Sequence, residues 1–89
     1  FSGIEIEVLN GSGNSTKLSE VVNDLENAGF TVIQTGRTST TSNTTIILRS
    51  TIEQVAETTI KELLGSENVS SGEESEVDVT IIIGTDYIL

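Results

Sequence analysis

The chain reads as an α+β domain with the element order β-α-β-β-α-β, and three patterns carry that expectation. The stretch Ile4-Glu5-Ile6-Glu7-Val8 alternates apolar and acidic residues with the period of a strand. Two later stretches space apolar residues by three and four and each ends at a glycine, Gly29 or Gly65, as amphipathic helices do. The run Val77 to Ile83 is again strand-like, rich in β-branched residues.

Taken in order, Ile4, Ile6 and Val8 define the buried face of the first strand, with Glu5 and Glu7 on the other. Asn10-Gly11-Ser12-Gly13 is a tight turn that calls for positive φ and an Asn side-chain hydrogen bond to the backbone. The first helix is expected over Ser15–Ala28, burying Leu18, Val21, Val22, Leu25 and Ala28. With Gly29 as the left-handed residue, Leu25 and Phe30 become the apolar pair of a Schellman stop. A second strand covers Thr31 to Thr35, and a third Thr44 to Arg49. Ser50 and Glu53 have capping-box spacing before a helix over Thr51–Leu64. The connections Gly36–Asn43 and Ser66–Glu76 are polar or acidic and read as mobile. The core expected from these patterns is Ile4, Ile6, Val8, Leu18, Val22, Leu25, Phe30, Val32, Ile46, Leu48, Val55, Ile60, Leu63, Val79 and Ile81. Two βαβ halves of this kind predict a ferredoxin-like split βαβ sandwich. It would have an antiparallel four-stranded sheet in the order 4-1-3-2 and two helices on one face. The rival order sets strands one and two side by side in parallel.

Composition bounds the function. Eighty-nine residues make one small domain spanning residues 1–89. The start Phe1-Ser2-Gly3, without Met, gives the expectation of a segment of something longer. The chain has no Cys and no His, which removes thiol chemistry, the commonest general base and the commonest transition-metal ligands. The net charge is -10, and Lys17, Arg37, Arg49 and Lys61 are dispersed, so nucleic acid is excluded as a partner. No apolar run approaches the ~20 residues of a membrane span, so contact with a membrane is expected only through an upstream anchor. Triplets of the N-glycosylation type begin at Asn10, Asn14, Asn43 and Asn68, a yield that chance supplies in a chain so rich in Ser and Thr.

Three motifs resemble a known family, the C-terminal domain of the LytR/CpsA/Psr cell-envelope proteins. They are Ile6-Glu7-Val8-Leu9-Asn10-Gly11-Ser12-Gly13, Leu25 with Ala28-Gly29-Phe30-Thr31-Val32, and the ending Asp78-Val79-Thr80-Ile81-Ile82-Ile83-Gly84-Thr85-Asp86-Tyr87. The resemblance spans nearly the whole chain. It implies an extracytoplasmic, envelope-associated domain of a membrane-anchored bacterial protein. In many relatives such a domain follows a catalytic domain that transfers lipid-linked glycopolymers to peptidoglycan, and none of that catalytic sequence is present here.

The candidate sites have plain structural readings beside the functional ones. Gly11-Ser12-Gly13 before a helix resembles a phosphate cradle, but Thr16 stands where a dinucleotide fingerprint needs glycine. Asn10, Gly11, Gly13, Gly29, Gly84 and Asp86 are therefore read as structural. Glu73, Glu74, Glu76 and Asp78 lack the spacing of a Ca²⁺ loop and read as a solvated acidic connection, and no cofactor or metal is expected. Glu5 and Glu7 face the open side of the sheet, where Arg49 of an antiparallel strand three would neighbour Glu5. That antiparallel sheet would also put Asn10-Gly11 and Gly84-Asp86 at opposite ends. The ligand-contact candidates alternate away from the helix-covered face: Thr31, Ile33, Thr35, Thr45, Ile47, Thr80 and Ile82. The function expected is a non-catalytic accessory domain that binds peptidoglycan, another wall glycan or a protein partner. The alternative is a structural or oligomerisation spacer.

Overall fold

The computed structural model describes residues 3–87, and Phe1 lies outside them. The described elements are β1 (Glu5–Asn10), α1 (Ser15–Asn27), β2 (Thr31–Arg37), β3 (Thr45–Leu48), α2 (Gln54–Leu64), β4 (Val69–Ser71) and β5 (Val79–Ile83). The strands form one sheet in the order β2-β1-β5-β3-β4. β1 is parallel to both β2 and β5, and β3 is antiparallel to β5 and parallel to β4.

This corrects the expected antiparallel four-stranded sheet. The α+β class with two helices holds, but the sheet is mixed, and the parallel β1–β2 pair is that of the rival order. The short strand β4 explains the difference. Leaving α2, the chain pairs Val69-Ser70-Ser71 with Ile46, Ile47 and Leu48. That closes β3-α2-β4 as a parallel crossover unit in its own right, matching β1-α1-β2. The last strand is then free to enter between the two units rather than within one. Right-handed crossovers make both helices share a face. One unit steps outward from β1, the other steps the opposite way from a strand that runs in reverse.

The core lies between that face and the helices. Val21 and Leu25 of α1, with Ala56, Ile60 and Leu64 of α2, join Ile6, Val8, Ile46, Val79, Ile81 and Ile83 in one buried cluster. Each Val, Leu or Ile side chain among them contributes about 1.5–3 kcal/mol when fully buried. Val55, expected in the core, is 64% exposed. Its error follows from the helix start. Ser50 does not cap α2; its hydroxyl donates to Asp78 Oδ1 at 2.8 Å. Helix α2 begins instead after Glu53, which makes no side-chain cap bond. The buried stripe then falls on Ala56, Ile60 and Leu64, at intervals of four, and Val55 turns outward. Val55→Thr is accordingly expected to move the urea midpoint by no more than about 0.5 kcal/mol of stability.

The stop of α1 is as read. Gly29 has φ 101°, Phe30 N–H donates to Leu25 O at 3.0 Å and Gly29 N–H to Glu26 O at 3.0 Å, the bond pair of a Schellman motif. The two polar connections, by contrast, are tied down. Thr38 N–H donates to Asn10 O at 3.1 Å, Thr41 N–H to Gly11 O at 2.9 Å and Thr85 N–H to Thr41 O at 2.9 Å. In the second connection Ile46 N–H donates to Asn68 O at 2.9 Å and Gly72 N–H to Leu48 O at 2.8 Å. The expectation of two mobile segments is therefore narrowed to the exposed acidic stretch Glu73–Glu76. Hydrogen exchange should find the amides of Thr41 and Gly72 protected and those of Glu73–Glu76 fast. Fast exchange at Thr41 would contradict the docking of that loop.

Candidate functional site

The parallel pairing of β1 with β5 brings the Asn10–Gly13 and Gly84–Asp86 motifs to one end of the sheet. Gly11 N–H donates to Ile83 O at 2.8 Å, so the Asn10–Gly13 turn and the Gly84–Asp86 turn are neighbours, not at opposite ends. Asn10 is buried and builds the first turn. Its Oδ1 accepts from Ser12 N–H at 3.1 Å and Ser12 Oγ at 2.6 Å, and its Nδ2 donates to Asn14 O at 3.0 Å. Asn14 then caps α1, its side chain accepting from Thr16 N–H at 2.9 Å. Gly13 has φ 78°, whereas Gly11 is needed for closeness: an added Cβ would lie 3.0 Å from Ile83 O and 2.8 Å from Thr41 Cγ2. On the other side Asp86 Oδ1 accepts from Thr44 N–H at 2.9 Å and Thr44 Oγ1 at 2.7 Å, and Thr44 Oγ1 accepts from Gly84 N–H at 3.0 Å. Those bonds give Asn10 and Asp86 a place in the two turns.

Beside the first turn opens a cleft of about 600 Å³, lined by Asn10, Gly13, Ser15, Leu18, Arg37, Thr38 and Thr40. It sits past the carboxyl ends of β1 and β2, where open sheets with parallel strands commonly take ligands. The register sets Arg37 opposite Asn10. No acidic residue lines the cleft. Among the described residues the Arg37 side chain makes no hydrogen bond or ion pair, and the one ion pair joins Lys61 to Glu57 at 3.4 Å. Lys17 stands at the same end and donates to Thr85 O at 3.2 Å. The cleft lining thus carries one cation and no anion on a chain of net charge -10, with the Asp86 carboxylate committed to Thr44 on the neighbouring turn.

The face expected to contact ligand is not one surface. A register shift between Ile6 and Glu7 passes over Ile33, so that Gln34 lies opposite Glu7 and Thr35 opposite Val8. Thr35 therefore turns to the helix side, where it lines a shallow groove with Leu18, Val22 and Asn23. Thr80 is 1% exposed. Its hydroxyl donates to Glu7 Oε1 at 3.2 Å and accepts from Arg49 Nε at 3.1 Å. Arg49 thus reaches Glu7 through Thr80 rather than Glu5, whose backbone N–H donates to Asp78 Oδ2 at 2.9 Å. Thr45, Ile47 and Ile82 stay together on the open face, half-buried, and Thr31 and Ile33 remain exposed on the outer strand. Among the described residues no three acidic side chains converge on a common point, and Asp78 is held by Ser50 and Glu5.

Tyr87 packs 7% exposed against the core. Burial, then the carboxylates of Asp24 and Glu20, push its hydroxyl above the ordinary tyrosine value of 10.0. A raised pKa here means that folding favours the neutral phenol. The stabilisation is complete below the unfolded value and is lost as pH rises through the folded one. As the chain has one Tyr, ultraviolet titration should show a single midpoint above that of free tyrosine, with unfolding on the alkaline side. A midpoint at the free value would place Tyr87 in solvent.

Arg37, Thr38, Thr40 and Ser15 were not singled out by sequence reasoning. Their signal was conditional on topology: only a parallel β1–β2 pair sets the end of β2 beside the glycine turn.

Residues 3–87 match the family model described as LytR cell envelope-related transcriptional attenuator, and the chain belongs to that LytR C-terminal domain family. A solved structure, the soluble domain of a conserved hypothetical secreted protein from Mycobacterium marinum, shares the fold with a TM-score of 0.65 at 21% identity. The alignment covers 97% of this chain and 62% of that one, so the chain spans under two thirds of its length. No curated protein matches the chain.

Proposed function

We propose that this domain is a non-catalytic accessory module of the bacterial cell envelope, acting outside the cytoplasm and holding peptidoglycan in the cleft beside α1. The observation that carries this reading is the cleft itself. It combines an unpaired guanidinium, the hydroxyls of Ser15, Thr38 and Thr40 and the apolar Leu18, a mixed lining suited to polar glycopeptide. Family membership supports the location, and the secreted neighbour accords with it. Catalysis is disfavoured by the inventory. No hydroxyl in the cleft is hydrogen-bonded to a carboxylate or amine that could activate it, among the described residues, and the chain holds no His or Cys. A charge of -10 repels teichoic acids, which are polyanions, so peptidoglycan is the better-matched wall polymer.

Co-sedimentation with sacculi, with and without attached teichoic acid and at two salt concentrations, tests the proposal. Binding to both preparations, stronger to the stripped one at low salt, is expected. Tight, chelator-insensitive binding that depends on teichoic acid would sink the electrostatic argument. Binding to neither would favour the spacer reading, to which the 3% aromatic content lends weight because sugar rings usually stack on aromatic faces.

A further inference from the structure

We infer that the cleft beside α1 selects ligands that carry a carboxylate, with Arg37 as the residue that binds it. The inference rests on the wall-binding reading above and deepens it from polymer to chemical group.

Of the four basic side chains, Lys61 pairs with Glu57, Lys17 donates to Thr85 O and Arg49 to Thr80 and Glu73 O, which leaves Arg37 as the one without a partner among the described residues. Arg37 makes no ion pair among the described residues, and the lining around it excludes every acid. Its fork of donors is left free on a residue that lines a cleft whose other polar side chains are three hydroxyls and the Asn10 amide. A planar fork of this kind matches a carboxylate with two parallel hydrogen bonds. The hydroxyls of Thr38 and Thr40 lie one and three positions along the chain from Arg37, on a loop docked by the Thr38–Asn10 and Thr41–Gly11 bonds. They are thereby placed to meet the polar remainder of the same ligand. Asn10 serves as floor, since both ends of its amide are committed within the turn.

The same geometry argues against phosphate. A dianion calls for several cations or for free helix amides. Here Thr16 N–H is already taken by Asn14, and Lys17 by Thr85 O. One guanidinium balances one negative charge, and each further charge meets the field of a chain at -10. The volume of about 600 Å³ is enough for one sugar or a dipeptide.

Two sources offer such a group in glycopeptide: a carboxylated sugar and the end of a peptide. ¹⁵N-labelled domain titrated with N-acetylmuramic acid, N-acetyl-D-alanyl-D-alanine, the amidated forms of both and N-acetylglucosamine separates them. Amide shifts at Ser15, Arg37, Thr38 and Thr40 are expected with at least one carboxylate probe and not with its amide, and the responding probe identifies the source. Arg37→Gln should weaken that binding about tenfold or more, with Arg37→Lys between, since charged hydrogen bonds are the stronger ones. Arg37 is exposed, so neither variant should alter the thermal midpoint. Equal shifts from the amidated probes, shifts outside the cleft, no response to any probe, or an unchanged affinity in Arg37→Gln would each overturn the inference. Sacculus binding that Arg37→Gln leaves intact would do so while sparing the wall-binding reading. Loss of sacculus binding by the unaltered domain would remove that reading itself.

Discussion

Replacing Leu25 by alanine should cost about 2–5 kcal/mol, the range for a fully buried leucine whose site cannot collapse. Leu25 is 0% exposed and belongs to the cluster shared by α1, α2 and the sheet. Collapse is hindered there because its backbone is fixed as well. Leu25 O accepts from Phe30 N–H at 3.0 Å and Ala28 N–H at 3.2 Å, so the last turn cannot slide inward to fill the void. Domains of this size are stable by about 5–15 kcal/mol, and the loss is a large fraction of that. Urea unfolding should show a lower midpoint at an unchanged slope. A loss below about 1 kcal/mol would mean that α1 is not seated as described.

How much of this was legible in the sequence can be judged from Leu25, Val55 and Arg37. Leu25 was legible because every signal that places it is local: spacing within the helix, then Ala28-Gly29-Phe30 at its end. Val55 was misplaced because the capping-box pattern at Ser50 and Glu53 was fulfilled in spacing but not in bonding. Asp78, distant in sequence, claimed the Ser50 hydroxyl and delayed the helix. The sheet order failed for a related reason. Strand β4 is Val69-Ser70-Ser71, three residues with one apolar side chain, too short for any period to show. Its pairing is dictated by the exposed edge of β3, a tertiary fact. Once that strand was missed, the split arrangement put the last strand at the sheet edge, antiparallel to β1, whereas it enters between β1 and β3. The two glycine motifs were then separated and the cleft disappeared. Thr35 was misassigned by a single-residue bulge, which inverts the facing of everything after it. The family motifs were legible throughout, since they join short alternating strands to turn residues, and both patterns are local.

Gly84→Ala should destabilise the domain by about 2–4 kcal/mol, combining overpacking with loss of a buried hydrogen-bond set. Gly84 is buried and does not have positive φ, so its side-chain hydrogen is required by closeness alone. An added Cβ would lie 2.6 Å from Thr44 N and 2.8 Å from Asn43 N. Both neighbours are backbone, which cannot swing aside as a side chain would. Relief requires the start of β3 to move off the end of β5. That movement strains the latch in which Thr44 gives its N–H and hydroxyl to Asp86 and receives Gly84 N–H. Asp86→Ala removes the same latch from the other side and leaves Thr44 N–H unpaired, at a cost of about 1–3 kcal/mol. The two losses should therefore overlap, with the double variant falling short of their sum by at least about 0.5 kcal/mol. The effect should also reach the cleft. Thr38 and Thr40 precede Thr44 on the loop that the latch anchors, with Thr85 N–H bound to Thr41 O midway. Faster amide exchange at Thr41 in Gly84→Ala, with Gly72 unchanged, would locate the damage at this end of the sheet. Strict additivity of the two substitutions, or a cost for Gly84→Ala below about 1 kcal/mol, would show that Gly84 and Asp86 act independently and that the close approach of β3 to β5 is not what demands the glycine.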